Sequence, residues 1–475
     1  MFNSHVEIIW ILNLLNANDN RFLINTGEVF NKDGNFVEGG KELIIQKMTG
    51  YISYVKGNNP FTFPYSIYPY TANNSASLKR LIENGVWKYP SRQLNGENIH
   101  NKLDTLDLVI TNIGTYQKKG YEKIIESFKS SGILKSEGVG FSYTLLDPLV
   151  QGLSMIYPDK DLDKAGGDNN IYKSLYGKRG LKRVMTYNEN TKKEFRYKDE
   201  TLETYGRIFS PSEIGKYSSK IGNMCESIIN SKGIVFIYSR YIEGGAIPIA
   251  LALEEAGLTR YGKTASLFNE PPCKPIDAIT MKPSKDDEPI KPAKYVMIVG
   301  DKNLTPDIES EIRAVTGSQN KDGSKVKVVI VSRAGSEGLD FQNIRETHIL
   351  DPWYNLNIQN QIVGRSARNL SHCSLPYEDR NVSIFLYGTR LDEDIESADM
   401  YLYRLAEVKA KKIAKVSQLL KKNSIDCLLN NKGQNYSQEY INLFNNFPSC
   451  SDLLLSGPDI ICLLYTSDAA DEEDS

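Results

Sequence analysis

At 475 residues the chain can hold two to three domains and a sizeable core, at roughly 100–200 residues per domain. A hydrophobic content of 40%, a charged content of 24% and a mean hydropathy of −0.39 exclude the fibrous and wholly disordered classes. The formal charge of −2 excludes no partner, because five acids crowd the last eight residues and setting them aside turns the balance positive.

The opening run MFNSHVEIIWILNLLNANDN lacks the basic segment and cleavage site of a secretory signal. No apolar run nears the ~18–20 residues that cross a bilayer, so no membrane partner is expected. Six cysteines without a C-x-x-C pair, and four dispersed histidines (His5, His100, His348, His372), suggest neither a metal site nor a disulfide framework. An intracellular, reduced setting is expected, with the histidines in packing or surface roles.

Residues 135–205 are rich in glycine, tyrosine and charge, show no sustained periodicity and read as an insertion. Beyond them, β-branched runs at 234–238, 295–299, 326–331, 347–350 and 382–386 alternate with helical stretches. Short apolar runs that do not alternate strictly predict strands covered on both faces, hence an α/β fold with a parallel sheet flanked by helices. AIPIALALEEAG (246–257) predicts an amphipathic covering helix, with Pro248 in its first turn and Gly257 just past its end. The 269–294 stretch holds six of the nineteen prolines and reads as a surface loop. Residues 394–422 predict a long helix with Leu402, Leu405, Ile413, Val416 and Leu420 near one face. Its Lys409, Lys411, Lys412 and Lys415 lie elsewhere, either solvated or meeting phosphates. The acidic ending at 462–475 reads as a disordered tail outside any natural domain, or else as a genuine acidic tail.

The densest chemical signal is VSRAGSEGLDF (331–341), then ILDPWYN (349–355), then QNQIVGRSAR (359–368). Gly335 and Gly338 allow backbone N–H groups close to a ligand, and Asp340 is placed to reach a ribose hydroxyl. In Q-x-x-G-R-x-x-R, Arg365 and Arg368 are spaced i, i+3, so on a helix both guanidinium groups face one way, suited to gripping phosphate oxygens. Singly, such arginines form surface ion pairs and such glycines make turns; the ordered set points to chemistry.

These motifs resemble the second RecA-like lobe of superfamily 2 helicases and translocases. VSRAGSEGLDF is similar to their motif V, QIVGRSAR to motif VI, and GIVFIYSRYIEGGAIPIALALEEAG (233–257) to motif IV and its helix. ILDPWYN resembles the Snf2-like branch. The segments 50–69, 111–125 and 424–430 resemble helicases of large nucleocytoplasmic DNA viruses, relatives of the poxvirus nucleoside triphosphate phosphohydrolase and early transcription factor helicase subunit. The resemblance implies ATP and Mg²⁺ in a longer parent, with Arg365 and Arg368 against the γ-phosphate and Gly338, Asp340 and Gln361 near the nucleotide. It implies DNA or RNA backbone contacts at Ser239, Arg240, Ser332 and Arg333. It also implies a first RecA-like lobe as partner, a viral RNA polymerase or transcription factors as further partners, and a place in the host cytoplasm or virion.

Met1-Phe2-Asn3 resembles the run that follows the last first-lobe motif of this family, so the chain is expected to begin inside that lobe. Residues 1–100 then read as first-lobe remnant and connector, 101–430 as the second lobe, and 431–461 as an extension. GLTRYGKT (257–264) matches the phosphate-loop pattern, but it follows a helix where a working loop follows a strand, so Lys263 reads as a surface lysine. GNFVEGGKE (34–42) has no Ser or Thr after Lys41. The chain alone is therefore not expected to hydrolyse ATP; the alternative is a non-catalytic module that binds nucleic acid or a transcription factor.

Overall fold

A computed structural model describes residues 1, 3–53, 62–132, 143–164, 171–262, 266–283, 290–305, 307–333, 339–392 and 394–425. Gly335, Gly338, Lys263, most of 424–430, the 431–461 extension and the acidic tail lie outside the described residues. The strands are β1 (Tyr65–Ile67), β2 (Val109–Asn112), β3 (Met185–Asn188), β4 (Lys193–Tyr197), β5 (Ile234–Tyr238), β6 (Thr259–Arg260), β7 (Lys294–Ile298), β8 (Val328–Val331), β9 (Ile344–Ile349) and β10 (Asn381–Arg390). The helices used below are α1 (Glu7–Asn18), α2 (Gly40–Met48), α3 (Tyr143–Ser154), α4 (Ser219–Asn230), α5 (Ile247–Glu255), α6 (Ile308–Thr316), α7 (Leu356–Ser366) and α8 (Ala398–Lys422).

Eight strands form one parallel sheet in the order β1-β10-β9-β5-β8-β7-β6, with β2 also on β10. Central β5 pairs Phe236 with Val329 on one side and Thr347 on the other. Its Val235 and Ile237 enter one core while Ile234, Phe236 and Tyr238 enter the other, the two-residue period of a strand buried on both faces. The long β10 carries β1 and β2 end to end along one edge. This is the doubly covered parallel sheet that the β-branched runs predict.

Two expectations need correction. Helix α5 is not amphipathic: all nine of its residues are buried. Glu254 accepts from the Leu267 and Phe268 N–H groups (2.7 and 2.9 Å) and from the Tyr295 hydroxyl (2.5 Å), while Glu255 accepts from Tyr197 (2.7 Å). The polar face is therefore covered, and its carboxylates are satisfied internally rather than by water. Part of that cover, including Tyr197, comes from the stretch read as an aperiodic insertion. Its described part folds into short helices and the β3–β4 hairpin, and buries Tyr157, Leu175 and Phe195 completely. Cys373 is disulfide-bonded, so the six cysteines are not all free thiols.

At the other end, α1, α2 and Val416 of α8 build a small separate core around Ile8, Leu12, Ile44 and Met48. No helix among the described residues is long and apolar enough to cross a membrane.

Candidate functional site

The chain leaves β5 outward to β6, returns through β7 to β8 beside β5, then crosses to β9 on the other side of β5. In open parallel sheets the carboxyl ends at such a reversal form a ligand-binding crevice. Three segments emerge there: Ser239-Arg240 after β5, Ser332-Arg333 after β8, and Leu350-Asp351 after β9.

Asp351 organises this edge. It is fully buried and accepts from Ser154 Oγ (2.5 Å), Ser239 Oγ (2.6 Å) and the Arg240 N–H (3.0 Å), tying α3, β5 and β9 together. Burial pushes its carboxyl above the ordinary range, and those donors pull it back. Arg240 pairs with Asp147 and lies over the rings of Tyr241 and Trp353, at 4.6 and 5.3 Å from their centroids. Arg333 lies over the same Trp353 ring at 5.5 Å, and the Trp353 N–H donates to the Tyr238 hydroxyl (3.2 Å). The fold thus brings Arg240 and Arg333 onto one tryptophan from two strand ends. Ser239 and Ser332 are buried beneath them, with the Ser239 hydroxyl committed to Asp351.

A second cluster lies at the far end of α7, which at 11 residues spans about 16 Å. Asn355 caps the start of this helix by accepting from the Ile358 N–H (3.1 Å). The helix ends at Ser366, so Arg368 lies past its C-cap and the helical i, i+3 reasoning does not hold. The two guanidinium groups nevertheless converge: Arg365 Nη1 lies 3.5 Å and Arg368 Nη1 2.5 Å from the same Asp340 oxygen. The turn back through Ala367 does what a continued helix would have done. Both arginines are partly exposed, Gln361 is exposed, and Gly338 is outside the described residues.

Other candidates take plainer places. His348 is buried between Tyr387 and Glu346, and His372 bonds Ser371 and the Ile344 carbonyl. No group of three metal-ligating side chains occurs among the described residues. The described part of GLTRYGKT, residues 257–262, follows the end of α5 and holds edge strand β6, the reverse of the strand-then-helix order of a phosphate loop. The α8 lysines are not a uniformly solvated face. Lys411 pairs with Asp104 and Glu407, Lys409 donates to Asn3, and Lys412 donates to the Asp33 carbonyl.

Residues 302–370 match the model of the helicase conserved C-terminal domain. This stretch is a helicase C-terminal domain. It includes Ser332, Arg333, Asp340, Asp351, Arg365 and Arg368. A protein of Acanthamoeba polyphaga mimivirus that bears the name of an ATP-dependent RNA helicase is 22% identical over 92% of the chain and 38% of its own length. A helicase-named protein of Invertebrate iridescent virus 3 is 23% identical over 63% of the chain and 27% of its own. The termination factor NPH-I homolog of African swine fever virus is 31% identical over 36% and 26%. The chain thus spans well under half the length of these relatives. The C-terminal part of the Fun30 ATPase domain aligns over 70% of the chain and 99% of its own length, at 13% identity and a TM-score of 0.36.

Asp351 and Trp353 belong to a legible pattern, an acid and an aromatic directly after a buried strand. Asp147 and Ser154 have no sequence signal, being about 200 residues from Asp351.

Proposed function

We propose that this chain is the C-terminal part of an ATP-dependent nucleic-acid helicase or translocase of viral type, linked to transcription. The convergence of Arg365 and Arg368 on one acceptor at the end of α7 is the observation that carries this reading. In it, Asp340 holds both guanidinium groups together until the γ-phosphate of ATP, gripped by a partner lobe, takes its place. Bound ATP would supply the γ-phosphoryl group that passes to water, with ADP as the leaving group, and Mg²⁺ would neutralise part of the phosphate charge. Two guanidinium groups, each a planar fork of five N–H donors, suit phosphate oxygens in number and charge. The metal's ligands belong, in this proposal, to the first RecA-like lobe.

Gln361 and Gly338 stand near the nucleotide in the same reading. Arg240 and Arg333 contact the DNA or RNA backbone from their shared seat on Trp353, with Ser239 and Ser332 setting the strand ends beneath them. The name of the African swine fever virus relative supports a link to transcription, with a viral RNA polymerase or transcription factors as partners and the host cytoplasm or virion as the setting.

The test joins this chain to a phosphate-loop lobe and measures steady-state hydrolysis with single-stranded nucleic acid. Arg365→Ala or Arg368→Ala should lower kcat by about 10³-fold while KM changes little, because the contact strengthens as charge develops. Normal kcat in both variants would favour the non-catalytic binding module. The chain alone should release no phosphate.

A further inference from the structure

We propose that the pocket between the N-terminal helices and the last turns of α8 is a second binding site for phosphate groups, those of a nucleic-acid strand. The cavity, about 530 Å³, is lined by Lys41, Lys412, Lys415 and Lys422 together with His5 and Phe36. No carboxylate is among its lining residues. Lys411, one position along α8, is paired with Asp104 and Glu407, whereas Lys41, Lys415 and Lys422 have no ion pair among the described residues. Lys412 does give one N–H to the Asp33 carbonyl (2.5 Å), and Lys41 lies 5.7 Å over the Phe36 ring. His5 is held by the Gly34 carbonyl (2.8 Å), and burial and the Lys412 charge lower its pKa, so the positive charge of the pocket is that of the lysines. Like charges gathered on one helix face repel one another, and an anionic ligand reverses that cost.

The row from Lys412 to Lys422 runs about 15 Å along α8, at 1.5 Å per residue, within roughly a quarter turn of one face. That length exceeds one phosphate and suits a strand that passes several. The row also continues from the first cluster. Lys409, on the same helix, lies 4.9 Å over the Tyr354 ring, and Tyr354 is 6.2 Å from the Trp353 ring that Arg240 and Arg333 share. A strand leaving that cluster along α8 meets the pocket next. The path rests on the proposed role of Arg240 and Arg333; the charge of the pocket does not.

The test is fluorescence anisotropy of a labelled oligothymidylate bound to the full chain, titrated from about 50 to 200 mM salt, where phosphate contacts dominate the change. Lys415→Ala with Lys422→Ala should weaken binding about fivefold and flatten the slope of log K against log[salt] by about 1.4, two contacts at 0.7 each. Lys415→Arg with Lys422→Arg should restore both. Unchanged affinity and slope in the alanine pair overturn the proposal. Equal competition by a polyglutamate peptide overturns phosphate as the ligand. Equal competition by inorganic tripolyphosphate makes free polyphosphate the source and overturns the strand. If Arg240→Ala with Arg333→Ala binds normally while the pocket pair is impaired, the reading of the first cluster fails and the pocket stands.

Discussion

Glu311, on α6, is 3% exposed, and burial raises its carboxyl to about 7 against the opposing pull of Arg260. Its unfolded value is 4.5. The proton is therefore bound more tightly in the folded chain, and the associated stability is full below pH 4.5 and lost as pH rises through about 7, roughly 3 kcal/mol in all. His372 acts oppositely. Burial lowers it to about 4, so its contribution is present above pH 6.5 and lost as pH falls through about 4. Glu311→Gln should remove the decline between pH 5 and 7, read by denaturant titration at both values, and leave the His372 slope. An identical pH response in wild type and variant would show that Glu311 ionises freely. Gly364 offers a second test at this scale. A Cβ there meets nothing within 4 Å, although glycine inside a helix costs about 1 kcal/mol relative to alanine. Gly364→Ala should stabilise the chain by about 0.5–1 kcal/mol, seen as a raised Tm. If the open face receives the nucleotide, the same change lowers turnover once the partner lobe is joined. The glycine and both arginines were legible as a motif, whereas Asp340 as the common acceptor of the two guanidinium groups was not.

Between elements, the strongest clamp is a buried ion pair. Lys220 on α4 lies 2.6 Å from Asp399 on α8, both side chains wholly buried, and Asp399 also accepts from Thr389 and Ser397. Removing one partner strands a buried charge, which typically costs about 3–5 kcal/mol. Lys220→Met should destabilise by that amount, and Lys220→Met with Asp399→Leu should recover part of it in a double-mutant cycle. Additive losses would mean that the pair is not coupled. The π turn Ile242–Ala246 shows a different constraint. A Cβ on Gly245 would lie 1.9 Å from Ser239 Oγ, so Gly245→Ala must displace the hydroxyl that Asp351 holds. A loss of about 1–3 kcal/mol is expected from such overpacking, with weaker oligonucleotide binding through the shifted Arg240. Helix α8 was readable from its apolar spacing, but the ends of α7 were not. Capping by Asn355 and termination before Arg368 depend on local backbone geometry that many sequences share.

Across the whole molecule, α8 joins the large cores around the sheet to the small N-terminal core, with Met400 and Tyr403 in the former and Val416 in the latter. The sheet buries β5 and β8 at every position, whereas α1 and α2 share a small core with Val416. Hydrogen exchange should therefore show α1, α2 and the last turns of α8 opening together, at lower free energy than β5, β8 and β9. Equal protection of both regions would mean a single cooperative unit. The sequence by itself determined the α/β class, the five central runs, the long last helix and the motif order, because β-branched runs and the one-sided apolar spacing of a helix are local signals. Only the tertiary structure decided that a stretch without periodicity would cover α5, that Arg240 and Arg333 would share Trp353, and that Arg365 and Arg368 would share Asp340. Those meetings join residues far apart along the chain, where loop closure and side-chain packing, rather than any local pattern, choose the partner.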